Sequence, residues 1–269
     1  MNGDVDVFGD GRDLYQQWNR DLWDPKGAAA VAGARVVPGD RVLDACCGNG
    51  SSALPAAVAA GPTGVVDAVD LSPGLLAAGV LRARNADVAT IRWHEQDTTR
   101  WAGADHDALV CNFGVFFLSD MDNTVRRLVG SLRPGGKVAI TSWGSTAMQE
   151  FAPIMFDAIR SSHPAVVAPS SRNPAGRINS VEKMTTWMTS LGMDSVHSVD
   201  LPLRVTLTRE SAWALVAGSG FRALLPADER VWPQIADELW SRCQNSGSTA
   251  VTLDAIVGTG RRTGGGSRG

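Results

Sequence analysis

Between residues 41 and 143 the chain alternates short apolar runs with helix-patterned segments, and this constrains its fold more than any other feature. Residues 41–46 (RVLDAC), 64–70 (GVVDAVD), 89–97 (ATIRWHEQD), 107–113 (DALVCNF) and 137–143 (KVAITSW) have the length and composition of buried strands. The Ala-rich stretch 51–61 reads as a helix, and Ser72 with Pro73 marks the start of another running through LLAAGVLRAR. "MDNTVRRLVGSL" is a further helix, stopped by "RPGG", which reads as a tight turn before the fifth strand. Such alternation predicts an α/β fold, a doubly wound parallel sheet.

Ligands of such sheets lie outside the carboxyl ends of the strands. That rule collects "CCGNG", Asp70, Asp97 and Asn112 on one rim. Gly48 and Gly50 allow a close backbone approach to a ligand, and Asp70, 22 residues beyond Gly48, is placed to accept from a ribose diol. Asp97 is placed to accept from an adenine amine. A nicotinamide dinucleotide and S-adenosylmethionine (SAM) both suit this rim. Position 53, where the nicotinamide fingerprint has a third glycine, is Ala53.

Other classes are disfavoured by composition. The net charge of −3 supplies no field for a nucleic-acid backbone. No apolar run approaches the ~20 residues of a membrane span, and the acidic N-terminus lacks a signal-peptide pattern, so a cytoplasmic protein is expected. The four cysteines are too few for a disulfide framework, and adjacent Cys46 and Cys47 do not have zinc-ligand spacing. No metal is expected.

After Trp143 the character changes. Helices are expected at 150–163, 181–193, 209–224 and 227–245, strands at 196–207 and 249–260, and a disordered tail from 263. The expected organisation is an N-terminal helical cap (1–38), a cofactor-binding core (39–145), a substrate-binding helical insertion with the sixth strand (146–247), the last core strand (248–262) and the tail (263–269).

In order and spacing, "VLDACCGNG", "VDAVDLSP", "HEQDT", "DALVCNFGVFFLSD" and "LRPGGKVAITSW" resemble the motifs of class I SAM-dependent methyltransferases. The likeness is to the branch of ubiquinone/menaquinone-biosynthesis and natural-product enzymes. It covers about 100 residues and implies a Rossmann-like, seven-stranded sheet whose last strand is antiparallel. It further implies that Asp44, Cys46, Gly48 and Gly50 lie under the methionine portion, with Leu71 on the adenine. Asp97 and the Thr98 amide would read the adenine edge, and Asn112 would lie beside the methionine ammonium. Where the family often has glycine this chain has Cys46, small enough for the turn unless a positive φ is required.

The implied reaction is methyl transfer to a small, aromatic or hydrophobic acceptor, with O, N and C acceptors all open. A SAM-binding protein without transfer and a nicotinamide oxidoreductase are the alternatives. Nine tryptophans suit flat apolar walls, and Trp18, Phe116, Phe117 and Trp143 are the acceptor-site candidates. Leu14, Trp18 and Leu22 share a helical face in the N-terminal segment. A base is poorly indicated: Tyr15, the sole tyrosine, and His163 are the candidates. Three lysines against 22 arginines hint at a GC-rich bacterial source and secondary metabolism.

Overall fold

The computed structural model describes residues 6–164, 166 and 174–264. Five strands form the parallel half of the sheet: β1 (Arg41–Ala45), β2 (Val65–Asp70), β3 (Ile91–Glu95), β4 (His106–Asn112) and β5 (Leu132–Trp143). Two more strands, β6 (Met193–Leu201) and β9 (Ala255–Arg262), complete the order β3-β2-β1-β4-β5-β9-β6. Only β9 runs antiparallel to its neighbours. The sheet is thus doubly wound and seven-stranded with an antiparallel final strand, and its order reverses between β1 and β4, where such sheets open a ligand crevice.

Helices cover both faces. On one, α3 (Asp24–Ala34) and α4 (Ala53–Ala60) press alanines, among them Ala30, Ala34, Ala53 and Ala57, onto Val42, Val66, Val110 and Ala139. Small side chains let these helices lie close to the strand ends. Beside them α5 (Pro73–Asn85) begins at Ser72, whose hydroxyl accepts from the Leu75 amide at 3.1 Å, as the Ser-Pro signal predicts. On the other face α6 (Met121–Gly130) and α8 (Val181–Ser190) pack Val125, Leu128, Met184 and Met188 against Leu43, Leu109, Val138 and Ile140. A third cluster joins the N-terminal segment to α7 (Phe151–Ser162), α9 (Arg209–Ala217) and α10 (Trp232–Asn245). No helix among the described residues is long and apolar enough to cross a membrane.

Several boundaries differ from the sequence expectation. "RPGG" lies inside β5: Leu132 already pairs with His106, and the ladder resumes at Ala108–Lys137 after a bulge containing Gly135 at φ +75°. The strands expected at 196–207 and 249–260 are each broken. Pro202 ends β6, and β7 (Arg204–Thr206) pairs instead with β8 (Ala250–Thr252) in a separate ribbon. The break is held by Asp254, whose carboxylate accepts from the Leu203 amide (2.8 Å) and the Thr146 hydroxyl (2.7 Å). The helix expected at 209–224 stops at Ala217, and that at 227–245 starts at Trp232, with short 3-10 turns at Gly220–Leu224 and Glu229–Val231.

The N-terminal segment is the largest departure. Instead of one helix carrying Leu14, Trp18 and Leu22, it has α1 (Val7–Asp10), α2 (Arg12–Gln16) and a π-helical turn at Asn19–Trp23 leading into α3. The wider turn still buries Trp18 and Leu22, but it also swings Trp23 inward. Residues 265–269 of the expected tail, and 165 and 167–173 of the Pro/Ser/Asn-rich connection, lie outside the described residues.

Candidate active site

The turn after β1 has the backbone that glycine favours at three places: Cys46 (φ +58°), Gly48 (+54°) and Gly50 (+84°). Cys46 therefore stands in a left-handed conformation, the one condition under which its replacement of glycine costs energy, about 1–2 kcal/mol. Its side chain packs against Gly114, where a Cβ would come within 2.3 Å of the Cys46 Cβ, and its thiol meets the Thr98 hydroxyl at 3.7 Å. In Cys46→Gly the relief of this strain is offset by the lost packing on Gly114 and the greater chain entropy of glycine, so urea stability and cofactor affinity are expected to change little; a loss of binding would give the thiol a chemical role.

Asp70, at the end of β2, is oriented by two amides. Oδ2 accepts from Gly48 N–H at 2.8 Å and Oδ1 from Ser72 N–H at 2.9 Å. Burial raises its proton affinity, and the nearby Asp6 carboxylate adds to that. A carboxylate offers about four lone-pair sites, so two amides leave capacity for further donors. Leu71 follows with its side chain exposed. At the end of β3, Asp97 Oδ1 accepts from the Thr99 amide (2.8 Å), while Thr98 is buried.

Asn112 ends β4. Its Nδ2 donates to the Trp23 carbonyl at 3.3 Å, which fixes the amide's orientation, while its Oδ1 is buried without a partner. A buried acceptor left unmatched costs about 1–3 kcal/mol and calls for a donor. Asp44 lies deeper. It is fully buried, with Ser52 Oγ 2.9 Å from both carboxylate oxygens.

Burial pushes the Asp44 carboxyl up to about 8, against the lowering effect of Ser52. The folded value thus lies above that of an unfolded aspartate, near 4. Stability from this group is fully present below pH 4 and is lost as the pH rises through about 8. The advantage of Asp44→Asn over the parent should therefore be smallest at or below pH 4, grow by about 1.4 kcal/mol per pH unit above that, and reach several kcal/mol by pH 9. Urea titrations across this range test it; a pH-independent difference rejects it.

Aromatic rings converge beside the turn. Tyr15 stacks on Trp23 (4.9 Å, 9°), and the Trp23 indole donates to the Tyr15 carbonyl at 3.1 Å. Trp23 also meets Phe113 (5.6 Å) and Trp143 (6.0 Å) edge-on, and Phe113 lies 4.4 Å from Trp143. Phe113 has φ +56°, a rare geometry for a bulky residue and a sign of local strain. The Tyr15 hydroxyl lies 3.4 Å from where a Cβ on Gly48 would stand, and burial keeps the phenol protonated.

Other expected site residues scatter. Trp18 is buried in the N-terminal and α7/α9/α10 cluster, with its indole nitrogen unpartnered. Phe116 contacts Phe117 (4.9 Å), and Phe117 turns outward against Phe8 (5.5 Å). His163 follows α7, and among the described residues no hydrogen bond or ring contact joins its side chain to the site. His94 and His106, which flank the third strand end, both bind the buried Asp67 carboxylate, at 2.9 and 3.0 Å. Sequence reasoning missed Trp23 and Phe113 as members of the ring cluster. Trp23 is one residue past the i+4 series, and only the π turn brings it round.

Residues 42–136 match the methyltransferase domain family. The matched stretch, from β1 into the start of β5, is therefore similar to a methyltransferase domain. An uncharacterized Mycobacterium tuberculosis protein is 33% identical over 157 residues, 57% of this chain and 54% of that one. A demethylmenaquinone methyltransferase of Renibacterium salmoninarum is 28% identical over 174 residues, 64% of this chain and 67% of that one. The chain thus spans about half the length of the first of these relatives and two thirds of the second. Among solved structures, the YcgJ protein of Bacillus subtilis superposes with a TM-score of 0.58 at 17% identity, covering 90% of this chain and 99% of that one. That likeness concerns the fold alone. The cofactor of class I methyltransferases is SAM, and the residues of this rim fit it on two observations: a turn after β1 in the left-handed, glycine-favouring conformation and an unmatched acceptor on Asn112.

Proposed function

We propose that this protein transfers a methyl group from SAM to a small, planar or hydrophobic acceptor. The observation that carries the reading is the Tyr15–Trp23–Phe113–Trp143 ring cluster, which adjoins the glycine turn and the Asn112 amide. Flat rings stack on flat acceptors and exclude water from the reacting atoms. A relative that acts on demethylmenaquinone supports an aromatic acceptor of that general kind. The four described cysteines are all unpaired, which suits the cytoplasm, and the preference for arginine over lysine is the support for a bacterial secondary pathway.

SAM supplies an electrophilic methyl on a sulfonium that leaves as a neutral thioether. In this reading Asp70 accepts from the ribose hydroxyls, Leu71 flanks the adenine, and Asp97 with the Thr98 amide reads its edge. Gly48 and Gly50 admit the backbone close to the amino-acid portion, above Asp44 and Cys46. Asn112 Oδ1, left unmatched while Nδ2 is held by the Trp23 carbonyl, would accept from the ammonium. Phe116 and Trp143 border the acceptor side, with Phe117 and Trp18 outside them. Alignment of acceptor, methyl carbon and sulfur is then the main contribution of the protein, through near-attack geometry. An acceptor that must lose a proton gives it to solvent, because burial keeps the Tyr15 phenol protonated.

The test is incubation with methyl-labelled SAM and a panel of hydroquinones, phenols, indoles and amines. Label is expected in a planar aromatic acceptor, with S-adenosylhomocysteine formed in equal amount. Tight, stoichiometric SAM binding with no label moved to any acceptor would replace this reading with a binding role.

A further inference from the structure

Arg82 stands on α5, away from the residues that the proposed function uses, yet it reaches the cofactor turn. One guanidinium nitrogen donates to the Asn49 carbonyl and to Asn49 Oδ1, both at 3.0 Å, with Ser51 Oγ at 3.4 Å. The other grips both carboxylate oxygens of Asp24 at 2.7 Å. Asn49, fully buried between Gly48 and Gly50, donates in turn from Nδ2 to Asn19 Oδ1 at 3.0 Å. Asn19 begins the π turn and Asp24 begins α3, so one cation ties the glycine turn to the end of the N-terminal segment.

The approach of α5 that permits this is built in. A Cβ on Gly79, one turn before Arg82, would meet the Trp93 ring at 2.6 Å and the Asn49 backbone at 3.2 Å. Trp93 also fills the space beneath Gly50, at 2.7 Å from its missing Cβ. The turn, α5 and Trp93 therefore pack as one body. The guanidinium is well suited to the bridge, because its planar fork satisfies a carboxylate on one edge and amide oxygens on another.

We propose that Arg82 is a positioning residue that couples cofactor binding at the Gly48–Gly50 turn to closure of the N-terminal segment. The segment carries Tyr15, whose hydroxyl stands over Gly48, and Trp23, whose carbonyl holds Asn112. Tyr15 must shift when the turn takes a ligand. Through Asn49, Asn19 and Asp24, occupancy of the turn and placement of these two rings become a single equilibrium. The consequence is coupled binding: occupancy of the turn and placement of the acceptor wall favour one another. The inference rests on the reading of the glycine turn as the cofactor site.

Amide hydrogen exchange of the full chain, with and without S-adenosylhomocysteine, tests it alongside calorimetric affinities. In the parent protein, saturating S-adenosylhomocysteine should slow exchange at residues 46–52 and also at 12–23. Arg82→Gln should weaken binding about tenfold. At saturation it should still show slowing at 46–52, but none at 12–23. Asn19→Ala, which leaves Arg82 untouched, should give the same uncoupling with a smaller change in affinity. Slowing at 12–23 retained in both variants overturns the coupling, as does faster exchange spread through β6 and β9 in Arg82→Gln. A parent chain with no slowing at 46–52 overturns the cofactor reading itself, and the coupling with it.

Discussion

Asp70→Ala raises the dissociation constant for S-adenosylhomocysteine by about 100-fold or more, while the chain remains folded. The expectation follows from what the carboxylate does at the end of β2. Two amides, Gly48 N–H and Ser72 N–H, lock its orientation and leave the remaining lone pairs free, in the proposed reading for a ribose diol. Hydrogen bonds to an ionised group contribute about 1.5–3 kcal/mol each, and two of them correspond to the stated loss. Asp70→Asn should not rescue binding. The carboxamide can offer only one acceptor edge, so its NH2 must face Gly48 N–H or Ser72 N–H, donor against donor. Calorimetric titration measures both variants, and an unchanged affinity in Asp70→Ala would remove this residue from the cofactor site.

The second large effect concerns stability. Gly27→Ala should destabilise the protein by about 2–3 kcal/mol, with an apparent melting temperature lower by about 5–10 °C. Gly27 lies in α3, where alanine is ordinarily worth about 1 kcal/mol more than glycine, so the predicted sign is opposite to propensity. The reason is contact. A Cβ there would stand 2.2 Å from the Ser51 carbonyl oxygen and 2.9 Å from the Ser52 nitrogen, both backbone atoms that cannot swing aside. Relief requires α3 to move off the glycine turn, so under the proposed reading affinity for S-adenosylhomocysteine should fall as well. Gly130→Ala is the control. Its Cβ would meet nothing within 4 Å at the end of α6, and a small gain is expected there. A Gly27→Ala protein as stable as its parent would show that α3 and the turn are not rigidly packed.

Much of the arrangement was legible in the chain because it is local. Each core strand announces itself as a short apolar run, and the rim position of Asp70, Asp97 and Asn112 follows from where those runs end. Ser72 and Pro73 start α5 with no help from the rest of the molecule. Other features depend on partners remote in sequence. A continuous strand at 249–260 is the natural reading of an alternating pattern. It breaks because the Asp254 carboxylate captures the Leu203 amide, 51 residues away. Likewise, Cys46 reads as a tolerable small residue, and only the folded turn requires φ +58° of it.

What the sequence by itself determined is therefore the succession of strands and helices, the glycine turn and the three polar strand ends, since periodicity and turn chemistry act over a few neighbouring residues. Tertiary structure alone decided that Trp23 rather than Trp18 joins Tyr15, Phe113 and Trp143, and that Arg82 reaches Asn49 and Asp24. It also placed β9 between β5 and β6. Those choices are made by shape and charge meeting across the core, and no pattern confined to one segment encodes them.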